Sequence, residues 1–86
     1  MNINELIAIV KNKLETDIHI QHLKIEDKSF LHKNHAGNQD GKFHLKLTIQ
    51  SEELDKLSKI MSTKRIYNIL DFELKSNIHS IQILLS

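Results

Sequence analysis

Six histidines stand in a chain of 86 residues that holds no cysteine and a single tyrosine. Neutral imidazole is the commonest side-chain metal ligand, and its ordinary titration falls near neutral pH. Two histidines are placed for such chemistry. His35 lies in the segment His32-Lys33-Asn34-His35-Ala36-Gly37, where the glycine lets the imidazole swing, and His79 stands at the start of the last apolar run. His32, three residues before His35, is a substitute ligand. A His-x-x-His pair by itself is a poor zinc or nickel site, because it offers only two donors. With no cysteine, the thiolates of any iron–sulfur centre must come from a partner or a small thiol. By position alone His79 reads as a rim histidine packed beside the core, and His35 reads equally as a ligand or a solvated loop residue. His44 points away from the apolar side of its segment, so it reads as a surface or cross-strand residue. His19 and His22 read as exposed strand positions.

The elements that must position these groups follow from periodicity. Ile3, Leu6, Ile7, Val10 and Leu14 recur at helical spacing, with Asn2 or Asn4 able to cap the start and an end near Thr16-Asp17. Ile18, Ile20, Leu23 and Ile25 favour a strand from about His19 to Glu26. Residues 28–41 hold both glycines and little apolar content, which reads as a loop long enough to carry function. Lys42 to Gln50 alternates cleanly, with Phe43, Leu45, Leu47 and Ile49 on one face and His44, Lys46 and Thr48 on the other. This is a half-buried strand antiparallel to the first. Ser51 followed by Glu52-Glu53 starts a short helix reaching about Lys59. Ser62 or Thr63 is expected to cap a longer helix to Lys75, with Ile66, Ile69, Leu70 and Leu74 as its buried stripe. Ile78 to Leu85 is a third strand, and alternation places His79 on the face of Ile81, Ile83 and Leu85. The order α-β-β-α-α-β predicts an α+β fold, with helices on one face of a three-stranded sheet.

Bulk properties set further bounds. Residues 1–86 suit one domain, near the lower end of what folds without staples. Hydrophobic residues make up 40% of the chain, enough for a small two-layer core. A formal charge of +1 is too small to attract nucleic acid or anionic lipid at long range. The opening residues show no secretory or transit pattern, and no apolar run approaches the roughly 18 residues of a membrane span. A soluble cytoplasmic protein is expected, and no membrane partner. The isolated chain is expected to be a monomer or a weak homodimer.

Over nearly its whole length the chain resembles the BolA-like family. The resemblance rests on residues that occur in order with consistent gaps. They are His22-Leu23-Lys24-Ile25-Glu26-Asp27; Ser29, His32 and His35-Ala36-Gly37; His44 with the strand Leu45 to Ile49, and Ser51; Ile66-Tyr67 and Leu70; and Ile78-His79-Ser80-Ile81. The resemblance implies a fold similar to class II KH domains. It implies an adaptor that forms a heterodimer with a monothiol glutaredoxin around a shared [2Fe–2S] cluster, in cluster trafficking or iron and redox sensing. The family's C-terminal histidine maps onto His79, and the His-or-Cys of its loop onto His35. Glutaredoxin cysteine and a glutathione thiol would supply the remaining ligands, so the isolated chain is expected to carry no cofactor.

Two departures stand out. Many relatives carry a basic Arg-His-Arg stretch in the longer helix where this chain reads Ser62-Thr63-Lys64, and Phe30 stands where related loops often hold another histidine. The first weakens the alternative implied by the family, a DNA-binding transcriptional regulator using the central helices. Lys56, Lys59, Lys64 and Arg65 are the candidate phosphate contacts, offset by Glu52, Glu53 and Asp55. Gly37 and Gly41 are spaced one residue too far apart for a KH-type GxxG loop, and Asp40 lies between them. No cysteine nucleophile, serine elbow or phosphate-cradling loop is present, so no enzyme activity is expected.

Overall fold

The computed structural model describes residues 1–29 and 42–86. The loop reading for residues 30–41, with His32, His35, Phe30 and both glycines, lies outside the described residues. Elsewhere the architecture is α+β, and the three strands form one sheet in the order β1-β2-β3. Helix α1 spans Ile3–Asp17. Asn2 caps it by accepting a hydrogen bond from the Glu5 N–H at 2.8 Å, while the Glu5 carboxylate accepts one from the Asn2 amide at 2.9 Å. Leu6, Val10 and Leu14 form its buried stripe, as their spacing predicts.

Strand β1 runs over His22–Asp27, starting later than the expected His19. The backbone before it is used elsewhere. The His19 N–H donates to the Glu53 carboxylate at 3.0 Å, and the His19 carbonyl accepts from the Ser51 hydroxyl at 2.8 Å. Groups committed to side chains beyond β2 are not available to the ladder. Strand β2 spans Phe43–Gln50, antiparallel to β1 with Leu23 opposite Ile49 and Ile25 opposite Leu47.

The helical half departs most from expectation. Helix α2 is four residues, Glu52–Asp55, capped by Ser51. Helix α3 starts at Lys59 under a Ser58 cap and ends at Ile69, so neither Ser62 nor Thr63 begins it. Ser62 sits fully buried inside the helix, where its hydroxyl donates to the Leu54 carbonyl at 3.1 Å. The segment offers serines at 51, 58 and 62, all able to cap; Ser51 and Ser58 do, whereas the Ser62 hydroxyl is taken by the Leu54 carbonyl. The expected helix to Lys75 is broken at Leu70, whose φ −98° and ψ 17° separate α3 from α4, Asp71–Ser76. Leu70 remains fully buried at the break. Beyond it Glu73, 3% exposed, receives Lys13 of α1 at 2.7 and 2.9 Å.

Strand β3, Ile78–Leu85, lies parallel to β2. Leu45, Leu47 and Ile49 join Leu6, Val10, Leu14, Leu54, Ile66, Leu70 and Ile78 in one core between sheet and helices. Register places Lys24, Glu26, Lys46, Thr48, Ser80 and Gln82 on the opposite face of the sheet. No helix among the described residues is long and apolar enough to cross a membrane.

Candidate functional site: a histidine pair at the β2–β3 edge

The pairing of β2 with β3 changes register where the histidines lie. Phe43 pairs with Ile78, but His44 pairs with Ser80, which leaves His79 as the extra residue on β3. From there the alternation is regular: Leu45 beside Ile81, Leu47 beside Ile83, and Ile49 beside Leu85 on the core face. Carried backward without interruption, that alternation would send His79 inward and Ile78 outward. The shift reverses both. Ile78 is 2% exposed in the core, whereas His79 is exposed. The expectation that His79 shares the face of Ile81, Ile83 and Leu85 is therefore corrected.

His79 is not a loose surface side chain. Its ring stacks on that of His44 with centroids 4.7 Å apart and planes 25° from parallel. For His44 the cross-strand reading holds and the surface reading is corrected. It lies on the face opposite the core, as alternation requires, yet it is only 6% exposed. Its Nδ1 lies 2.6 Å from the Ser80 hydroxyl. Its backbone N–H donates to the Ser29 hydroxyl at 3.0 Å, and its carbonyl accepts from the Lys28 N–H at 2.7 Å. The Asp27 carboxylate in turn accepts from the Ser29 N–H at 2.9 Å. His44 is thus a buried post tied to β3 through Ser80 and to the end of β1 through Ser29. The exposed imidazole of His79 leans on that post.

A shallow concavity of about 380 Å³ adjoins the pair, with Lys28, His44, Lys46, Ser80 and Gln82 among its lining. Glu26 lies near it on the same sheet face. Partial desolvation pushes its carboxyl up, but the charge of Lys24, a hydrogen bond from Lys28 and the charges of Lys28 and Lys46 outweigh this and hold it below its ordinary value. Among the described residues no three or more His, Cys, Asp or Glu side chains are grouped to hold a metal ion. Exposed His79 therefore offers a donor for part of a coordination sphere, with buried His44 behind it. His19 and His22 are exposed and stand apart from it, as expected.

The candidate basic residues divide. Lys56, Lys59 and Lys64 are exposed on α3 and the turn before it. Arg65 is instead a brace: it pairs with Glu53 and donates to the Asp17 carbonyl at 2.6 Å, tying α3 to α1 and α2. Glu53 is held below its ordinary value by the His19 N–H and then by Arg65.

The family model for BolA-like proteins matches residues 14–86, which covers both histidines, the register shift and the helical pair. This chain belongs to the BolA-like family. A curated relative, the "DNA-binding transcriptional regulator BolA" of Haemophilus influenzae, is 30% identical over 73 residues, covering 85% of this chain and 68% of that protein. "SufE-like protein 1, chloroplastic/mitochondrial" of Arabidopsis thaliana is 33% identical over 79 residues, 86% of this chain. The chain spans only 21% of that protein's length. Among solved structures, the BolA domain of SufE1 from Arabidopsis thaliana superposes with a TM-score of 0.78 at 28% identity, covering all of this chain and 93% of that one. BolA1 from the same plant gives 0.78 at 26% identity, with 92% and 87% covered. In this chain the fold places His79 at the register shift of β3, and only the paired strands reveal what His44 does behind it. The sequence signal was present, since His44 and Ser80 both belong to the matching residues. Their contact is 36 residues apart in the chain.

Proposed function

We propose that this BolA-like protein is a non-enzymatic adaptor that pairs with a monothiol glutaredoxin and co-ligates a [2Fe–2S] cluster, with His79 as its principal ligand. The observation that carries the reading is the exposed His79 imidazole, turned out of the core by the register shift and stacked on buried His44. An exposed but oriented imidazole suits coordination to a group held partly by another chain. His35 is the second candidate ligand and His32 its substitute; both lie outside the described residues. Cysteine from the glutaredoxin and the thiol of glutathione would complete the set, because this chain has no cysteine. Imidazole in place of thiolate raises a cluster's reduction potential and makes coordination sensitive to protonation, which suits transfer or sensing. The chain's own part is to present His79 in one orientation and to exclude solvent from its inner ring face through His44.

The test is reconstitution with a monothiol glutaredoxin, iron, sulfide and glutathione, followed by visible absorption and circular dichroism. His79→Ala is expected to abolish the heterodimer's cluster signature or shorten the cluster's lifetime at least tenfold. An unchanged spectrum and lifetime would show that His79 is not a ligand.

A second reading rests on the name of the Haemophilus influenzae relative and on the three exposed lysines: a DNA-binding regulator acting through α2 and α3. It requires a steep loss of affinity with salt and sensitivity to Lys64→Ala. Arg65→Ala is not a clean probe, because it also removes the brace to Glu53 and Asp17. Absence of a mobility shift at low salt would eliminate this reading.

A further inference from the structure

Helix α3 is apolar in two directions. One stripe, with Ser62 and Ile66, is buried in the core. The other face carries exposed Ile60 and Tyr67 at i, i+7, with half-buried Thr63 and the exposed Lys64 stem at the i+3 and i+4 positions between them, the spacing of a helix-packing face. Ile60 is 69% exposed, Met61 beside it 53%, and Tyr67 43%. Lys59, Ile60, Thr63, Lys64 and Tyr67 line a groove of about 330 Å³. A single exposed apolar residue needs no explanation, but a stripe at packing period with a groove does.

We propose that this face of α3 docks an acidic amphipathic helix of another protein. The charge around the groove selects the occupant. Lys59 and Lys64 are in its lining, no acidic side chain is, and among the described residues neither lysine is in an ion pair. Asp55 lines a neighbouring groove with Leu54, Leu57 and Ser62, and Glu53 is engaged by Arg65. A second copy of this chain fits poorly, since a two-fold contact on the same face would gather Lys59 and Lys64 of both copies in one interface whose lining supplies no acidic side chain to pair them. Duplex DNA would meet the lysines but would leave Ile60 and Tyr67 against phosphate and sugar, where apolar area contributes little. A helix with leucines on one side and glutamates along its edges satisfies both the apolar floor and the lysine rim. The groove shares no lining residue with the concavity beside the histidine pair, and the inference stands whether or not a cluster is bound.

The test uses the full chain labelled with ¹⁵N and a synthetic helical peptide of about four turns, with leucine at a and d and glutamate at e and g. Two further probes are the same peptide with lysine for glutamate, and a short DNA duplex. The acidic peptide is expected to shift the amide signals of Ile60, Thr63, Lys64 and Tyr67, and to bind more weakly as salt is raised. Ile60→Ala and Lys64→Glu should each weaken it about tenfold, while the rest of the spectrum stays folded because both side chains are exposed. Equal binding of the lysine peptide, no shift with the acidic peptide, or tighter binding of DNA at the same amides would each overturn the proposal.

Discussion

The histidine edge of the sheet and the outer face of α3 are both exposed, but they are built on opposite plans. At the edge, one exposed imidazole is held by a buried one, which Ser80 and Ser29 anchor from two other segments. On α3, Ile60 and Tyr67 are carried by a well-packed helix, but nothing among the described residues covers them. The first region spends contacts on orienting a donor atom, as coordination chemistry requires. The second leaves apolar area and positive charge for a surface to be supplied. Orientation is what a ligand needs; area and charge are what a docking face needs.

The largest effect that would break this contrast is at His79. His79→Ala should remove the cluster signature of the glutaredoxin heterodimer while changing thermal stability little, since the side chain is exposed. A large fall in stability instead would make His79 a structural residue like any other.

Lys13→Ala sharpens the comparison by acting on neither region. It strands Glu73, whose side chain is 4% exposed, without its cation. Breaking a fully buried pair costs about 3–5 kcal/mol, and the 39% exposure of the Lys13 side chain lowers the expectation to about 2 kcal/mol, read by chemical denaturation. Cluster and peptide binding per folded molecule should be unchanged.

Ser80→Ala comes next, at about 1 kcal/mol for one part-buried hydrogen bond. Its informative readout is not stability. Loss of the Ser80 contact should loosen the His44 ring and broaden the His79 ring signals in NMR. Sharp, unshifted His79 resonances would mean that the stack does not depend on its anchor. Ile60→Ala on the other region should alter stability by less than about 0.5 kcal/mol.

The smallest effect lies in pH. Glu53 is held below its ordinary value of 4.5 by His19 and Arg65, so its contribution is full above that value and declines as pH falls through the depressed folded value. Glu53→Gln should flatten the acid limb of the stability profile slightly. An unchanged acid limb would show that Arg65 and His19 bind an amide there as well as a carboxylate.

Much of the scaffold was legible from local pattern. The stripe Leu6, Val10, Leu14 and the alternation from Phe43 to Ile49 each report a period that the backbone imposes within a few residues. Helix starts among Ser51, Ser58 and Ser62 were harder, because every serine can cap; Ser51 and Ser62 are both buried, but of these two only Ser51 caps a helix, while Ser62 bonds the Leu54 carbonyl. At the site, the family resemblance pointed to His79, but strict alternation put its side chain on the wrong face. His44 was assigned to the correct face as a surface or cross-strand residue, and the choice between the two rests on residues of other segments.

Sequence by itself determined the α+β class with its three strands, the antiparallel partner of β1, membership of the BolA-like family and the absence of any thiolate donor. Tertiary structure alone decided that His79 turns outward and that His44 stands buried behind it. The physical reason is register. A strand's alternation is written in consecutive residues, but a one-residue shift exists only between two strands. Phe43 with Ile78 and His44 with Ser80 are pairings that neither segment specifies without the other.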